Sequence, residues 1–412
     1  MKSLFEFTLA GLLFLGLFSA PAMAGGDSIK VLTRNQYLGA DLTPVILAQT
    51  EEQFRAAAED ALNQIAENYF PLRARRLATE IALTEPDVIG LQEVFNFTVN
   101  GVNIGPPFVD HLHETLDALA AKGQSYDVVA TVEHLDIEID IDINGDGIEE
   151  KVRVLDRDVI LVREGVDFRP LSGNFATGGL CGVPIPITVP GFPPTLMSTE
   201  SEDGCNYSVV VQVPSPLGPD PITIERGFVG VDVTVRGKDY RVVNTHLEQN
   251  LPSPDPNSAI FQSLQAVELV GTLQFTTPPG LSLILFGDFN SSPEHAPIGP
   301  IIPPYQIITS ADFDMSFADI WDTNRFALSD PGYTCCQEAD LSNRRSILDE
   351  RIDIIFVRDT SFLSWAFVMG RVPIFPLSWP PNWASDHGGV FGKLIFRQGE
   401  MDWRSNRKRG RP

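Results

Sequence analysis

Residues 281–293 read LSLILFGDFNSSP. The run Leu281–Phe286 is apolar except for Ser282 and short, which predicts a buried strand. Gly287-Asp288-Phe289-Asn290 then places an acid and an amide just past its end. The same arrangement recurs along the chain. Asn35 follows KVLTR, Gln92-Glu93 follow DVIGL, and Asn244-Thr245-His246 follow RVV. Ser385-Asp386-His387 precede GGVFGKLIF, and Asp353 lies inside ERIDIIFV. A polar residue after a strand is usually just a turn former. Its recurrence, with carboxylate, amide and imidazole types together, points to one site assembled from distant segments.

Working outward, Glu51–Leu83 has helical character, carries Arg73, Arg75 and Arg76 as a basic stretch, and stops at Pro86. Phe108–Ala121 and Ser258–Leu273 are further helices. Strands are expected at Asp27–Asn35, Asp87–Leu91, Tyr126–Val132, Asp158–Val162, Arg351–Val357 and Gly389–Phe396. Alternation in IEIDIDINGDGIEEKVRVL predicts a hairpin, and a second runs from Phe228–Val235 through Gly237 to Tyr240–Val243. Insertions are expected near 134–152, 165–226 and 296–345. Nine prolines fall between Cys181 and Pro221. Short hairpin strands mixed with a few helices make an α+β fold. No repeat of fixed spacing appears, and one domain over 25–398 is expected.

The 412 residues carry 54 acidic against 30 basic side chains, a formal charge of −24. Such a body does not capture polyanions by its overall field. A carboxylate-bound divalent cation reverses that locally. Lys2, the apolar stretch Phe7–Ala20 and Ala22-Met23-Ala24 read as a secretory signal cleaved after Ala24, so a secreted or periplasmic protein is expected. The tail, 399–412, is basic and lacks a core-forming pattern. Export permits disulfides. Of the three pairings open to four cysteines, Cys181–Cys205 is favoured because it closes the Pro-rich loop. Cys335 and Cys336 are neighbours; a bond between them is strained, and free thiols or other pairings are the alternatives. Their spacing does not suit a zinc site.

LQEV, VNTHL, LFGDFNSSP, ERIDIIFV and SDHGGV, in that order, resemble the motif series of the endonuclease/exonuclease/phosphatase superfamily, which includes deoxyribonuclease I-like nucleases, neutral sphingomyelinases and inositol polyphosphate phosphatases. The resemblance runs from Asn35 to His387. It implies a four-layered α/β sandwich, two central, mostly antiparallel sheets flanked by helices. It also implies an Mg²⁺- or Mn²⁺-dependent phosphoesterase. In that reading Glu93, Asn35 and Asp386 form the metal site, suited to a hard cation. Asp288 orients the attacking water and Asn290 donates to a phosphoryl oxygen. His387 is the general base, oriented by Asp353. His246 donates to the non-bridging oxygens, supported by Asp158, with Asp156 the close alternative. The implied partner is a phosphate ester, nucleic acid or membrane phospholipid; no obligate protein partner is evident, and a monomer is expected.

The other histidines have blander readings. His111 and His113 are expected on a helix surface, His134 at a strand end, and His295 near the site without a role. DINGDG sets Asp142, Asn144 and Asp146 at alternate positions, as in the first half of a calcium loop. Arg153 stands where an EF-hand would have its closing glutamate, so that motif is excluded. A hairpin Ca²⁺ site and a plain polar turn remain. Two alternative functions stay open, a phosphomonoesterase and a non-catalytic, calcium-stabilised binding protein.

Overall fold

The Ser282–Asp288 strand is buried along its whole length, and its side chains alternate between two cores. Ile284 and Phe286 enter one apolar cluster, while Leu283 and Leu285 enter another. A strand covered on both faces reads as a continuous apolar run. The computed structural model describes residues 27–143, 146–250, 257–311, 317–324, 329–358, 362–373 and 381–396. The signal sequence, the basic tail and Asn144 lie outside the described residues.

Ser282–Asp288 sits in an eight-stranded sheet. On one side it pairs in parallel with Lys238–His246; on the other, antiparallel with Asp353–Arg358. Gly227–Val235 continues the sheet beyond Lys238–His246. A seven-stranded sheet has the order Phe362–Met369, Gly389–Phe396, Asp27–Asn35, Val88–Gln92, Glu150–Arg163, Asn96–Val99, with Tyr126–Ile141 also paired to Glu150–Arg163. Apart from the Asp27–Asn35/Val88–Gln92 and Lys238–His246/Ser282–Asp288 pairs, the main pairings are antiparallel.

The sheets face each other across a layer rich in valine and isoleucine: Val31, Val88, Ile160 and Val162 from one, Val229, Val231, Val242, Ile284 and Ile355 from the other. β-Branched side chains fit such a pleated interface. Gly90 allows the closest approach, since a Cβ there would lie 2.0 Å from Phe286 Cε2. On the outer face of the seven-stranded sheet, Leu77 and Ile81 of helix Phe70–Thr84 and Leu119 of helix His111–Ala120 pack on Ile89 and Leu161. On the outer face of the other, Leu269, Val270 and Leu273 of helix Asn257–Thr276 cover Leu283 and Leu285. Helices, sheet, sheet and helix make the four layers.

Three expectations need correction. The helix expected over Glu51–Leu83 is two helices, Glu51–Glu67 and Phe70–Thr84. Pro71 lacks an N–H and opens the second one, and Tyr69 turns to φ 27° at the break. His111 is not a surface residue: it is 1% exposed, with its ring stacked 3.5 Å from Phe70. His134 is interior to the Tyr126–Ile141 strand and buried, not at a strand end. Cys181 and Cys205 are joined, with their Cα atoms 5.3 Å apart, and Cys335 is bonded to Cys336. Among the described residues no helix is long and apolar enough to cross a membrane.

Candidate active site

Sheet register gathers the polar strand ends. In the eight-stranded sheet His246 pairs with Asp288, and Asp288 with Asp353. An imidazole and two carboxylates therefore stand in a row on one edge. In the facing sheet Asn35 pairs with Gln92, one residue before Glu93. Asn35 links the two edges, donating from Nδ2 to Glu93 Oε1 at 3.0 Å and to Asp288 Oδ2 at 3.1 Å. Its oxygen accepts from the Tyr37 N–H at 2.8 Å. Glu93 Oε2 accepts from the Leu38 N–H at 2.9 Å. Glu93 and Asn290 both hold left-handed backbone, at φ 54° and 47°. Such conformations are uncommon for side-chain-bearing residues and concentrate at functional sites.

His387 enters from the turn before Gly389–Phe396. Its Nδ1 lies 2.8 Å from Asp353 Oδ2 and 3.8 Å from Asp288 Oδ2. Its Nε2 points elsewhere, 4.0 Å from Asp386 Oδ1 and 3.9 Å from Cys336 Sγ. Buried arginines hold this turn. Arg34 Nη1 donates to the His387 carbonyl. Arg73 donates to the carbonyls of Gln36, Tyr37, Asn68 and Ala384. Arg73, from the stretch basic in sequence, thus works as an internal clamp between the Asn35 loop and the residue before the Ser385–His387 turn, while Arg75 is exposed.

His246 stands across Asp288. Its Nε2 is 3.6 Å from Asp288 Oδ2 and 3.2 Å from Asn290 Nδ2. Asn290 is itself anchored, its N–H donating to Asp288 Oδ1 and its Nδ2 to the Leu247 carbonyl, both at 2.9 Å. Behind His246, Arg226 Nη1 approaches Nδ1 at 3.1 Å. Arg226 lies 3.6 Å from Asp156 Oδ2 and 3.9 Å from Glu248 Oε1. His134 Nδ1 is 3.8 Å from both Asp156 Oδ2 and Asp158 Oδ1. Ligand atoms of His134, Asp158 and His246 lie within 4.8 Å of one another, as do those of Asp288, Asp353 and His387. Both Asp158 and its alternative Asp156 therefore belong to this neighbourhood. From sequence His134 reads only as a strand-end residue without a role, and Arg226 is not singled out. His134 sits in an ordinary alternating strand and Arg226 at the end of the Pro-rich excursion, so neither carries a motif.

Burial acts on every charge here. It would lower the His387 pKa, but Asp353 and Asp386 outweigh it and hold the imidazolium well above the ordinary range. His246 moves the opposite way: burial, then Arg226 and His134, push it well below. Burial raises Glu93, with Asp156 adding to the shift. It raises Asp386 to about 6, with Glu93 contributing. Asp288 is raised by burial and then by Asp353. Buried carboxylates that raise one another are what a cation relieves. The all-oxygen pair Glu93 and Asp386, both lining the cavity, suits a hard divalent ion.

In the DINGDG turn the carboxylates are turned inward on the backbone. Asp142 Oδ2 accepts from the Gly147 N–H at 2.7 Å and Asp146 Oδ1 from the Ile148 N–H at 2.8 Å. Both bonds belong to an ordinary polar hairpin turn. His295 lines the cavity and pairs with Glu350.

A two-sheet sandwich with paired imidazoles, carboxylates and an amide at one sheet edge defines a phosphoester hydrolase. The chain belongs to the endonuclease/exonuclease/phosphatase family, whose model matches residues 64–387. The family supports a phosphoesterase activity of the nuclease or phosphatase kind, and its members commonly bind divalent metals. Among solved structures the chain is similar to an endonuclease/exonuclease/phosphatase from Beutenbergia cavernae, at 19% identity over 90% of this chain and 72% of that one, TM-score 0.47. It is similar to a family protein from Bacteroides thetaiotaomicron at 17% identity, over 91% of this chain and 100% of that one, TM-score 0.47. A mannosyl-6-phosphatase from the same organism is 16% identical over 89% of this chain and 100% of that one, TM-score 0.44. No curated protein matches the chain.

Proposed function

We propose that this protein is an exported, divalent-cation-dependent phosphodiesterase. One observation carries the reading. The His387–Asp353 pair, at 2.8 Å, faces His246 across Asp288, whose Oδ2 lies 3.8 and 3.6 Å from the two rings. Two imidazoles with opposed electrostatic settings around one carboxylate suit in-line displacement at phosphorus. Asp353 accepts the Nδ1–H of His387; in the neutral ring, which a cation held by Glu93 and Asp386 would favour by neutralising the surrounding carboxylates, Nε2 takes the proton of the attacking water. Asp288 orients that water. His246, kept neutral, accepts a hydrogen bond from Arg226 at Nδ1, so its proton sits on Nε2; with the Asn290 amide turned away from that nitrogen, both groups donate to the phosphoryl oxygens. Glu93 and Asp386 would hold Mg²⁺ or Mn²⁺, with Asn35 fixing Glu93. Bound there, a divalent cation supplies charge neutralisation to the phosphoryl oxygens and to the surrounding carboxylates. Export rests on the N-terminal pattern ending at Ala24 and agrees with the Cys181–Cys205 disulfide.

Hydrolysis of bis-p-nitrophenyl phosphate by the mature chain tests this. Activity is expected with Mg²⁺ or Mn²⁺, lost in EDTA and restored by excess metal. Full turnover in a strong chelator would overturn the metal requirement. Turnover of p-nitrophenyl phosphate alone, without the diester, would make the protein a phosphomonoesterase.

A further inference from the structure

The cavity that holds the site does not end at its polar groups. Its volume is about 560 Å³, within the range of small-molecule sites. Away from His387 and His246 it runs into an apolar arm built by three separate segments. Phe54, Leu62 and Ile65 of helix Glu51–Glu67 form one wall. Ile137 and Ile139 of the Tyr126–Ile141 strand form the second. Ile222, from the small Val211–Val213/Ile222–Ile224 hairpin, closes the third.

The strand explains why this arm is more than a packing gap. Asp136, Glu138 and Asp140 turn outward and are exposed, while Ile137 and Ile139 turn toward the cavity yet stay only half-buried. Elsewhere in the molecule, inward-facing β-branched residues are fully buried: Val229, Val231 and Ile284 are 0% exposed. A row of isoleucines facing an open arm gains stability when apolar atoms fill it. The polar end of the same cavity carries the phosphoester chemistry. Among the described residues lining it, Arg226 is the one arginine or lysine. A nucleic-acid strand calls for a basic track with stacking aromatics; this cavity, in a chain of net charge −24, has no such track, and its aromatics Tyr37, Phe54, Phe95 and Phe97 are at most 6% exposed.

We propose that the substrate is an amphiphilic phosphoester with one aliphatic chain, which fills this arm while the phosphorus sits between His387 and His246. The assignment rests on the phosphodiesterase reading and narrows it. It names the chemistry shared by single-chain lipid headgroup esters and free alkyl phosphodiesters. In the reaction the water oxygen bonds to phosphorus, one ester P–O bond breaks with its electron pair leaving on the alcohol oxygen, and the water proton passes to His387.

The test uses the full mature chain with p-nitrophenyl esters of ethyl, octyl and dodecyl phosphate, each below its micelle concentration. Each buried methylene favours association roughly fourfold, so kcat/KM is expected to rise at least tenfold from ethyl to octyl, mostly through KM. Ala61→Phe, which narrows the arm, and Ile137→Ser, at a half-exposed wall position, should each shrink the octyl-to-ethyl ratio severalfold. Thermal melts show whether each variant is folded. Calorimetric binding of octylphosphonate against ethylphosphonate to His387→Ala gives a readout without turnover. Hydrolysis of the ethyl ester with a flat chain-length series overturns this inference and leaves the phosphodiesterase reading standing. Tighter octylphosphonate binding with no hydrolysis of any ester overturns that reading and supports the arm. An octyl preference untouched in both wall variants, or faster hydrolysis of DNA or RNA than of the octyl ester, overturns the arm. Equal gains with vesicle-borne lysophospholipid and with the free octyl ester show that either source fits; gain with one alone identifies it.

Discussion

His387 and His246 stand on either side of Asp288, both buried, and their surroundings drive them apart. His387 meets Asp353 at 2.8 Å and has Asp386 and Asp288 close by, a carboxylate field that favours the charged ring. His246 meets Arg226 at 3.1 Å and has His134 behind it, a cationic field that favours the neutral ring. Equal burial thus goes with opposite pKa shifts, because the sign of the nearest charge outweighs or reinforces the desolvation cost. The ring whose charged form is stabilised is the stronger base once neutral, and the ring kept neutral retains one N–H to donate.

The strongest way to break the comparison is to remove the anionic side. His387→Ala should lower kcat on bis-p-nitrophenyl phosphate by about 10² to 10⁴, the usual weight of a positioned base. Asp353→Asn should be comparably severe, since an amide stabilises the wrong tautomer. The double variant should lose little more than either single one, because both remove one unit. A double-mutant cycle with parallel thermal melts checks this; additive rate losses with a large fall in Tm would make the pair structural.

A second prediction isolates burial from charge. Glu268, fully buried on helix Asn257–Thr276, accepts from Ser208 N–H and Oγ and forms no ion pair among the described residues; burial raises its pKa to about 7. A folded-state pKa above the unfolded value gives stability that is complete below about pH 4.5 and is lost as pH rises through about 7. At 1.36 kcal/mol per unit the contribution is at most about 3 kcal/mol. Urea unfolding at pH 5 and pH 8 should show this loss in the native chain and a flatter profile in Glu268→Gln. Equal pH dependence in both would remove Glu268 as its source.

The smallest effect should come from the cationic side. Arg226→Met removes one charge-assisted hydrogen bond, so kcat/KM should fall about tenfold. The His246 pKa should rise toward the ordinary histidine value, a shift that NMR titration of the ring reads directly. An unmoved His246 resonance would mean that burial alone keeps it neutral.

The sequence by itself determined the elements and most of the site's membership. Continuous apolar runs marked doubly covered strands, alternation marked the hairpins, and Asn35, Glu93, His246, Asp288, Asn290, Asp386 and His387 stood out because each lies at or next to the end of such a strand, with Asp353 inside one. Periodicity reports which face a residue takes, and that survives any packing. Only the tertiary structure decided who meets whom. Sheet register set His246, Asp288 and Asp353 side by side. Packing turned Arg34 and Arg73 into internal clamps, brought His134 and Arg226 behind His246, and left an apolar arm between a helix, a strand and a hairpin. Those relations join residues up to 353 positions apart, as in the Arg34–His387 bond. They depend on how separate elements stack, and no local pattern of side chains encodes that.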